Sequence, residues 1–170
     1  MASVLLDACM TITDSPFGML YELLPNGNGD VLALSLASFD PVSEEPAFRD
    51  IQYEIRRHGH YELQRHASIY FAPVIEGTTV IVNRLGENRW KGCECPVCAP
   101  ALTTFVGILL KIGTTVIGLL SVANRDGGYQ KEDILEMETY AQTCALAIGS
   151  AKAELDRKQA REQLRQAQKM

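Results

Sequence analysis

FVGILLKIGTTVIGLLSVANRDGGYQKEDILEMETYAQTCALAI, from Phe105 to Ile148, decides the fold. Thr104 to Lys111 and Thr115 to Ala123 are apolar runs that flank Ile112-Gly113-Thr114. Two such runs around a tight turn predict an antiparallel hairpin. Asn124 to Tyr129 turns the chain, and a helix begins at Lys131 or Glu132. Glu132 and Asp133 in its first turn suit the positive end of the helix dipole. Ile134, Met137, Ala141, Cys144, Ile148, Ala151 and Leu155 then recur at spacings of three and four. That seam can pack on the domain and on a partner helix. Beyond Leu155 it weakens, and Ala160, Leu164 and Ala167 mark a shifted stripe. The second half of the helix is expected to leave the globule. A lone helix there is marginal in water, so a two-chain coiled coil is the economical solution.

Upstream, Ala2 to Thr13 carries Val4, Leu5, Ala8, Cys9 and Ile12 at helical spacing, and Asp14-Ser15-Pro16 stops it. The chain starts inside this helix without a preceding cap, which points to a longer parent protein. Phe17 to Leu24 and Val31 to Ser38 flank the dense turn signal Pro25-Asn26-Gly27-Asn28-Gly29-Asp30, and they predict a first hairpin. Glu45 to Arg57 reads as a helix with Phe48, Ile51 and Ile55 on one face, broken at His58-Gly59-His60. Ser68 to Ile75 fits a short helix or a strand. Thr78 to Val82 is β-branched and predicts a strand. Asn83 to Thr103 lacks periodicity. A loop that long in a compact domain is usually functional or mobile.

Bulk properties narrow the class. The 170 residues suffice for one domain with a core. No apolar run approaches the ~20 residues that span a bilayer. Phe105 to Ala123 is interrupted by Lys111, Gly113 and two threonines, and Asp7 interrupts the first apolar stretch before a signal-peptide core can form. A cytoplasmic, reducing location and no membrane insertion are therefore expected. Net charge is −5, but Lys152 to Met170 holds six Lys/Arg against three acids, +3 locally, leaving −8 elsewhere. The mixed signs describe a solvated helix face better than a nucleic-acid surface.

The decisive stretch resembles the C-terminal half of GAF domains. The matching marks are Ala123-Asn124-Arg125, Gly127-Gly128-Tyr129 and Glu132-Asp133, followed by an alanine-rich helix. Gly77 to Gly92 resembles the family's third strand and following loop, and GMLYELLPNGNGDVLALS fits its opening hairpin. The likeness spans about residues 2–155 and is nearest to GAF domains fused to bacterial signalling outputs: histidine kinases, diguanylate cyclases and HD-type phosphodiesterases. It implies an α+β fold with a central antiparallel sheet. The first and last helices would pack on one face and often dimerise. The middle helices and loops would cover the other and form a ligand pocket. The expected division is a sensor domain over 1–155 and a helical, coiled-coil linker over 156–170 toward a fused output domain.

Within that frame, Tyr70, Phe71, Asn83, Arg84, Trp90 and Phe105 are the candidate lining of a small-ligand pocket. The aromatics read equally as core, and Arg125 reads better as a loop brace than as a ligand contact. Cys93, Cys95 and Cys98 form C-x-C-x₂-C in the long loop, a departure from the family pattern. Thiolates at this spacing can converge on zinc or an iron–sulfur cluster, with His58, His60, His66 or a small exogenous ligand as the fourth donor. They also suit a redox-sensitive set, with Arg84, Arg89 and Lys91 near in sequence to lower a thiol pKa. They serve equally as incidental loop cysteines. Cys9 and Cys144 read as small core residues.

Three functions compete. The first is a regulatory sensor that catalyses nothing itself, with metal or redox sensing as the preferred signal. The second is a thiol-based reductase of free methionine sulfoxide, as some stand-alone GAF proteins are, although the wider cysteine spacing of those enzymes is missing here. The third is a ligand-free dimerisation spacer. An apo pocket filled by its own side chains favours the last.

Overall fold

The computed structural model describes residues 2–23, 31–39, 53–64, 69–85 and 102–168. Helix α1 (Ala2–Ile12) leads into β1 (Phe17–Leu23) and β2 (Val31–Phe39). Residues 53–58 are helical (α2) and precede β3 (Tyr61–Gln64). A 3₁₀ turn (Ile69–Phe71) runs directly into α3 (Ala72–Glu76). Strands β4 (Val80–Val82), β5 (Phe105–Ile112) and β6 (Thr115–Ala123) follow, and α4 (Lys131–Ala167) closes the order. The six strands form one antiparallel sheet ordered β3-β2-β1-β6-β5-β4.

Each helix end has a local cause. In α1, Asp14 at φ 48 follows the last turn, the Ser15 N–H donates to the Met10 carbonyl at 2.9 Å, and the Asp14 N–H donates to Thr11. That pairing satisfies the last carbonyls, and Pro16 cannot continue the helix. In α3, Pro73 sits in the first turn, where a missing N–H costs nothing. The Gln130 side chain and the Asp133 carboxylate reciprocally cap the first turn of α4. Residues 53–58 stop where the Gly59 N–H closes on the Ile55 carbonyl at 2.8 Å.

Strand alternation sorts the apolar residues into two cores. One face of the sheet carries Leu20, Val106, Ile108, Leu110, Leu120 and Val122, against Leu6 and Cys9 of α1 and Ile134, Met137, Ala141, Cys144 and Ala145 of α4. The opposite face carries Phe17, Met19, Tyr21, Phe105, Leu109 and Leu119, against Ile69, Tyr70, Phe71 and Ala72. Terminal helices on one face and middle elements on the other is the expected architecture.

Three elements differ from expectation. β3 is a strand that the sequence reading did not predict, because four residues ending in Glu-Leu-Gln carry no alternation signal of their own. The ambiguous segment near Ser68 to Ile75 is helical over the described residues, with all three of Ile69, Tyr70 and Phe71 buried. The seam of α4 is largely consumed within the domain: Ile134, Met137, Ala141 and Cys144 face the sheet, whereas Leu155 is 55% exposed. From Ser150 onward every described residue of α4 is exposed.

Candidate functional site

Strand register places three chain reversals on one rim of the sheet. Val82 pairs with Phe105, Phe105 with Ala123, and Ala123 with Phe17. The residues just outside this row are therefore neighbours: Asn83, Thr103 and Thr104, Asn124 and Arg125, and Ser15. The base of the long loop closes here through a Leu85 N–H to Thr103 carbonyl bond of 3.1 Å. Asn124, at φ 64, accepts the Thr103 N–H on its side-chain oxygen at 2.8 Å and donates its own N–H to the Thr104 carbonyl.

Asn83, expected at a ligand, instead clamps a backbone. Its side-chain oxygen accepts the Tyr129 N–H at 2.8 Å, and its side-chain nitrogen donates to the Tyr129 carbonyl at 2.9 Å. Gly128 makes this possible. Its φ is +78, and a Cβ there would lie 2.6 Å from the Asn83 Oδ1. The Tyr129 hydroxyl reaches the other way, to the Ser15 hydroxyl at 2.8 Å. Ser15 in turn bonds the Thr13 hydroxyl at 2.8 Å, and Thr13 donates to the Cys9 carbonyl at 2.8 Å. Burial pushes the Tyr129 phenol up to about 12. Arg125 pairs with Asp133, and its guanidinium lies 5.9 Å from the centre of the Tyr129 ring. Its carbonyl accepts from Thr104 and from the Gly128 N–H. Arg125 is thus a brace, held through Asp133 in the first turn of α4 where bonds to loop carbonyls were expected. The Asn83 clamp was missed because an Asn after a strand carries no signal of its partner 46 residues away.

Among the described residues, the side chains under the middle elements pack closely on one another. Tyr70, Phe71 and Phe105, three of the expected pocket residues, are at most 1% exposed. Tyr70 meets Phe105 edge-on at 6.0 Å between ring centres and Tyr21 at 6.3 Å. These geometries favour packing. One polar group on this face stands out. Ser121 alternates with Leu120 and shares the face of Leu119, between Met19 and Gly107. Its hydroxyl is fully buried and has no hydrogen-bond partner among the described residues. Arg84 is exposed and takes part in a polar contact. Trp90 lies outside the described residues.

The expectation of zinc or an iron–sulfur cluster is corrected. Among the described residues, no three His, Cys, Asp or Glu side chains converge to hold an ion. A tetrahedral site needs four donors on one point. His58 and His60, expected as the fourth ligand, lie 3.5 and 3.3 Å from the Glu54 and Glu62 carboxylates instead. Cys93, Cys95, Cys98 and His66 lie outside the described residues. Cys9 and Cys144 are buried free thiols in the core between the sheet and the terminal helices. Burial, with Cys144 nearby, pushes the Cys9 thiol up to about 12, and burial raises Cys144 as well. Neither is a nucleophile at neutral pH.

A groove of about 490 Å³ opens at the opposite end of the sheet. Leu23, Ile112, Val116 and Ile117 line it on one side, and Ile148, Gly149 and Lys152 on the other. Lys152 pairs with Glu22 across it. A Cβ on Gly149 would lie 2.2 Å from the Ile112 Cδ1, the free end of a partly exposed side chain, so the missing Cβ leaves that methyl its place in the groove.

No protein-family model matches the sequence, and no curated protein matches it either. Solved structures do match. A GAF domain/HD domain protein from Geobacter sulfurreducens superposes with a TM-score of 0.67 at 12% identity, covering 89% of this chain and 92% of that one. The GAF domain of an Acinetobacter phosphoenolpyruvate-protein phosphotransferase gives 0.65 at 13% identity, covering 90% and 82%. The chain has the GAF fold. A type II free methionine-R-sulfoxide reductase from Thermoplasma acidophilum also superposes, with a TM-score of 0.59 at 14% identity over 84% and 88%. Sensory and enzymatic proteins therefore share the GAF scaffold, and the fold alone does not choose between them. No helix among the described residues is long and apolar enough to cross a membrane.

Proposed function

We propose that this GAF domain is a regulatory sensor that forms a homodimer through α1 and α4 and drives a fused output domain through α4. The carrying observation is the shape of α4: 37 residues, of which every described one from Ser150 onward is exposed, although Lys152 still reaches back to Glu22. An isolated helical extension of that length is marginal in water. Leu135, Leu146 and Leu164 of α4 are 69%, 57% and 65% exposed, and Val4 and Ile12 of α1 are 67% and 52% exposed. An apolar hollow lined by Ile12, Leu135, Thr139, Tyr140 and Thr143 lies among them. A second copy covers this stripe and pairs the extensions. The sensor domain occupies 1–155 and the linker 156–170.

On the other face, the orphan Ser121 hydroxyl supports a ligand. A buried hydroxyl without a partner costs about 1–3 kcal/mol, and a ligand that hydrogen-bonds it recovers that loss. Ligand binding shifts the helices only by favouring one of their arrangements. Sedimentation of the intact chain and of Leu135→Asp/Leu146→Asp tests the dimer. A dimer that the double variant dissociates is expected, and a monomeric parent chain overturns the proposal. Cysteine crosslinking at Leu164 then reports whether a bound ligand or an oxidant changes the helix pair.

The close packing of Tyr70, Phe71 and Phe105 among the described residues favours a second reading, a ligand-free spacer. A thermal-shift screen of small molecules separates the two. Saturable stabilisation that Ser121→Ala weakens supports the sensor, and none supports the spacer.

A further inference from the structure

The rim network joins the base of the long loop, the start of α4 and the end of α1, beside a second α4–α1 bond in which the Tyr140 hydroxyl donates to the Leu5 carbonyl at 2.7 Å. Asn83 stands at the base of the long loop, directly after β4, the strand at the end of the sheet order. Tyr129 immediately precedes the first turn of α4. Ser15 and Thr13 end α1. One chain of hydrogen bonds runs through all of them, from Asn83 to the Tyr129 backbone, from the Tyr129 hydroxyl to Ser15, and from Ser15 to Thr13 and the Cys9 carbonyl. Two properties make this a mechanical link rather than a set of separate braces. The Asn83 amide grips both the N–H and the carbonyl of residue 129, so the backbone there follows Asn83 in both directions. The Tyr129 side chain is 3% exposed and wedged in the helix-face core, so its hydroxyl follows its own backbone. Ser15 is itself fixed to α1, because its N–H holds the Met10 carbonyl.

We propose that Tyr129 is the positioning residue that carries displacements of the long-loop base to α1 while the same turn delivers them to α4. This deepens the sensor reading and rests on it for its biological purpose. The loop base, moved by whatever binds beside it, moves Asn83. Asn83 moves residue 129. Residue 129 then shifts the start of α4 directly and the end of α1 through its hydroxyl. Both terminal helices receive the same displacement, and their mutual packing is conserved while their position on the sheet changes.

The test is amide hydrogen exchange on the intact chain, comparing the parent with Asn83→Ala, Tyr129→Phe and the pair. The probes are the amides of Thr13, Asp14 and Ser15, with Leu120 in the sheet centre reporting global opening. Asn83→Ala is expected to raise exchange at residues 13–15 by about fivefold, the effect of losing about one net hydrogen bond, without moving Leu120. Tyr129→Phe keeps the ring and the backbone clamp. It is expected to raise exchange at residues 13–15 while the amide of residue 129 stays protected. In the Tyr129→Phe background, Asn83→Ala then adds nothing at residues 13–15. Two results overturn the proposal: an Asn83→Ala effect confined to residues 129–133, or one of equal size with and without the Tyr129 hydroxyl. If Asn83→Ala does not fold, Asn83→Asp keeps the acceptor for the Tyr129 N–H, loses the donor, and is read the same way. No ligand or dimer is needed, so this experiment can fail while the sensor reading stands, and the reverse.

Discussion

Asn83 and Gly128 form a pair whose parts fail separately. Asn83→Ala leaves the N–H and carbonyl of Tyr129 without their partners, and raised amide exchange at residue 129 with a nearly unchanged urea midpoint is the expected outcome. Gly128→Ala meets both a positive φ and the Asn83 oxygen, and a loss of about 1–3 kcal/mol is expected. A Gly128→Ala variant as stable as the parent would show that the clamp yields freely. Cys9, Cys144, Tyr129 and Tyr140 set the alkaline behaviour, each raised chiefly by desolvation. Cys9 rises from 9.0 to about 12 and Tyr129 from 10.0 to about 12, so the fold favours their protonated forms. The unfolded chain releases these protons first. Stability is therefore complete below pH 9 and declines as pH rises from 9 toward 12. Urea midpoints across that window check this, and a flat profile to pH 11 contradicts it. The same burial makes Cys9 and Cys144 slow toward thiol reagents in the native protein at neutral pH, and rapid labelling of either would contradict their placement. The residue scale is also where sequence reading met its limit. Tyr70, Phe71 and Phe105 were legible as large apolar groups, but whether an aromatic lines a cavity or fills it depends on neighbours the sequence does not position. Arg125 was legible as a structural residue, but its partner, Asp133 in the first turn of α4, was not.

Among elements, the two hairpins and the terminal helices follow from local pattern, because strand alternation and helical spacing are written in consecutive residues. β3 was not legible, since its four residues become a strand only by pairing with β2. The terminal position of β4 was not legible either, because strand order depends on crossovers. Where α4 passes Ile112 it carries Gly149, a residue of low helix propensity whose missing Cβ leaves room for the Ile112 methyl. Gly149→Val is expected to displace Ile112, loosen α4 near Lys152 and raise exchange there ahead of the first turn of the helix. Phe71→Ala, under the opposite face, removes a fully buried ring and is expected to cost about 3–5 kcal/mol. Calorimetry of the two variants separates a local effect from a global one: a lowered midpoint for Phe71→Ala, and a nearly unchanged midpoint for Gly149→Val.

At the scale of the whole molecule, α4 begins at the polar rim, crosses the sheet, passes the groove at Ile112 and continues without a break to Ala167. At 1.5 Å per residue this is a rod of about 55 Å. Its rotation about its own axis is fixed at one end by the Tyr129 turn and along its length by the sheet. Whatever lies beyond Ala167 inherits an angular setting as well as a distance. One residue inserted after Ser150 turns the downstream partner by about 100°, whereas seven return it almost to its original azimuth. A chimera joining residues 1–167 to an assayable output domain is therefore expected to lose and regain regulation with a seven-residue rhythm as the junction is lengthened. A smooth decay with linker length would mean the extension acts as a tether. In the unbroken helix the message is a direction.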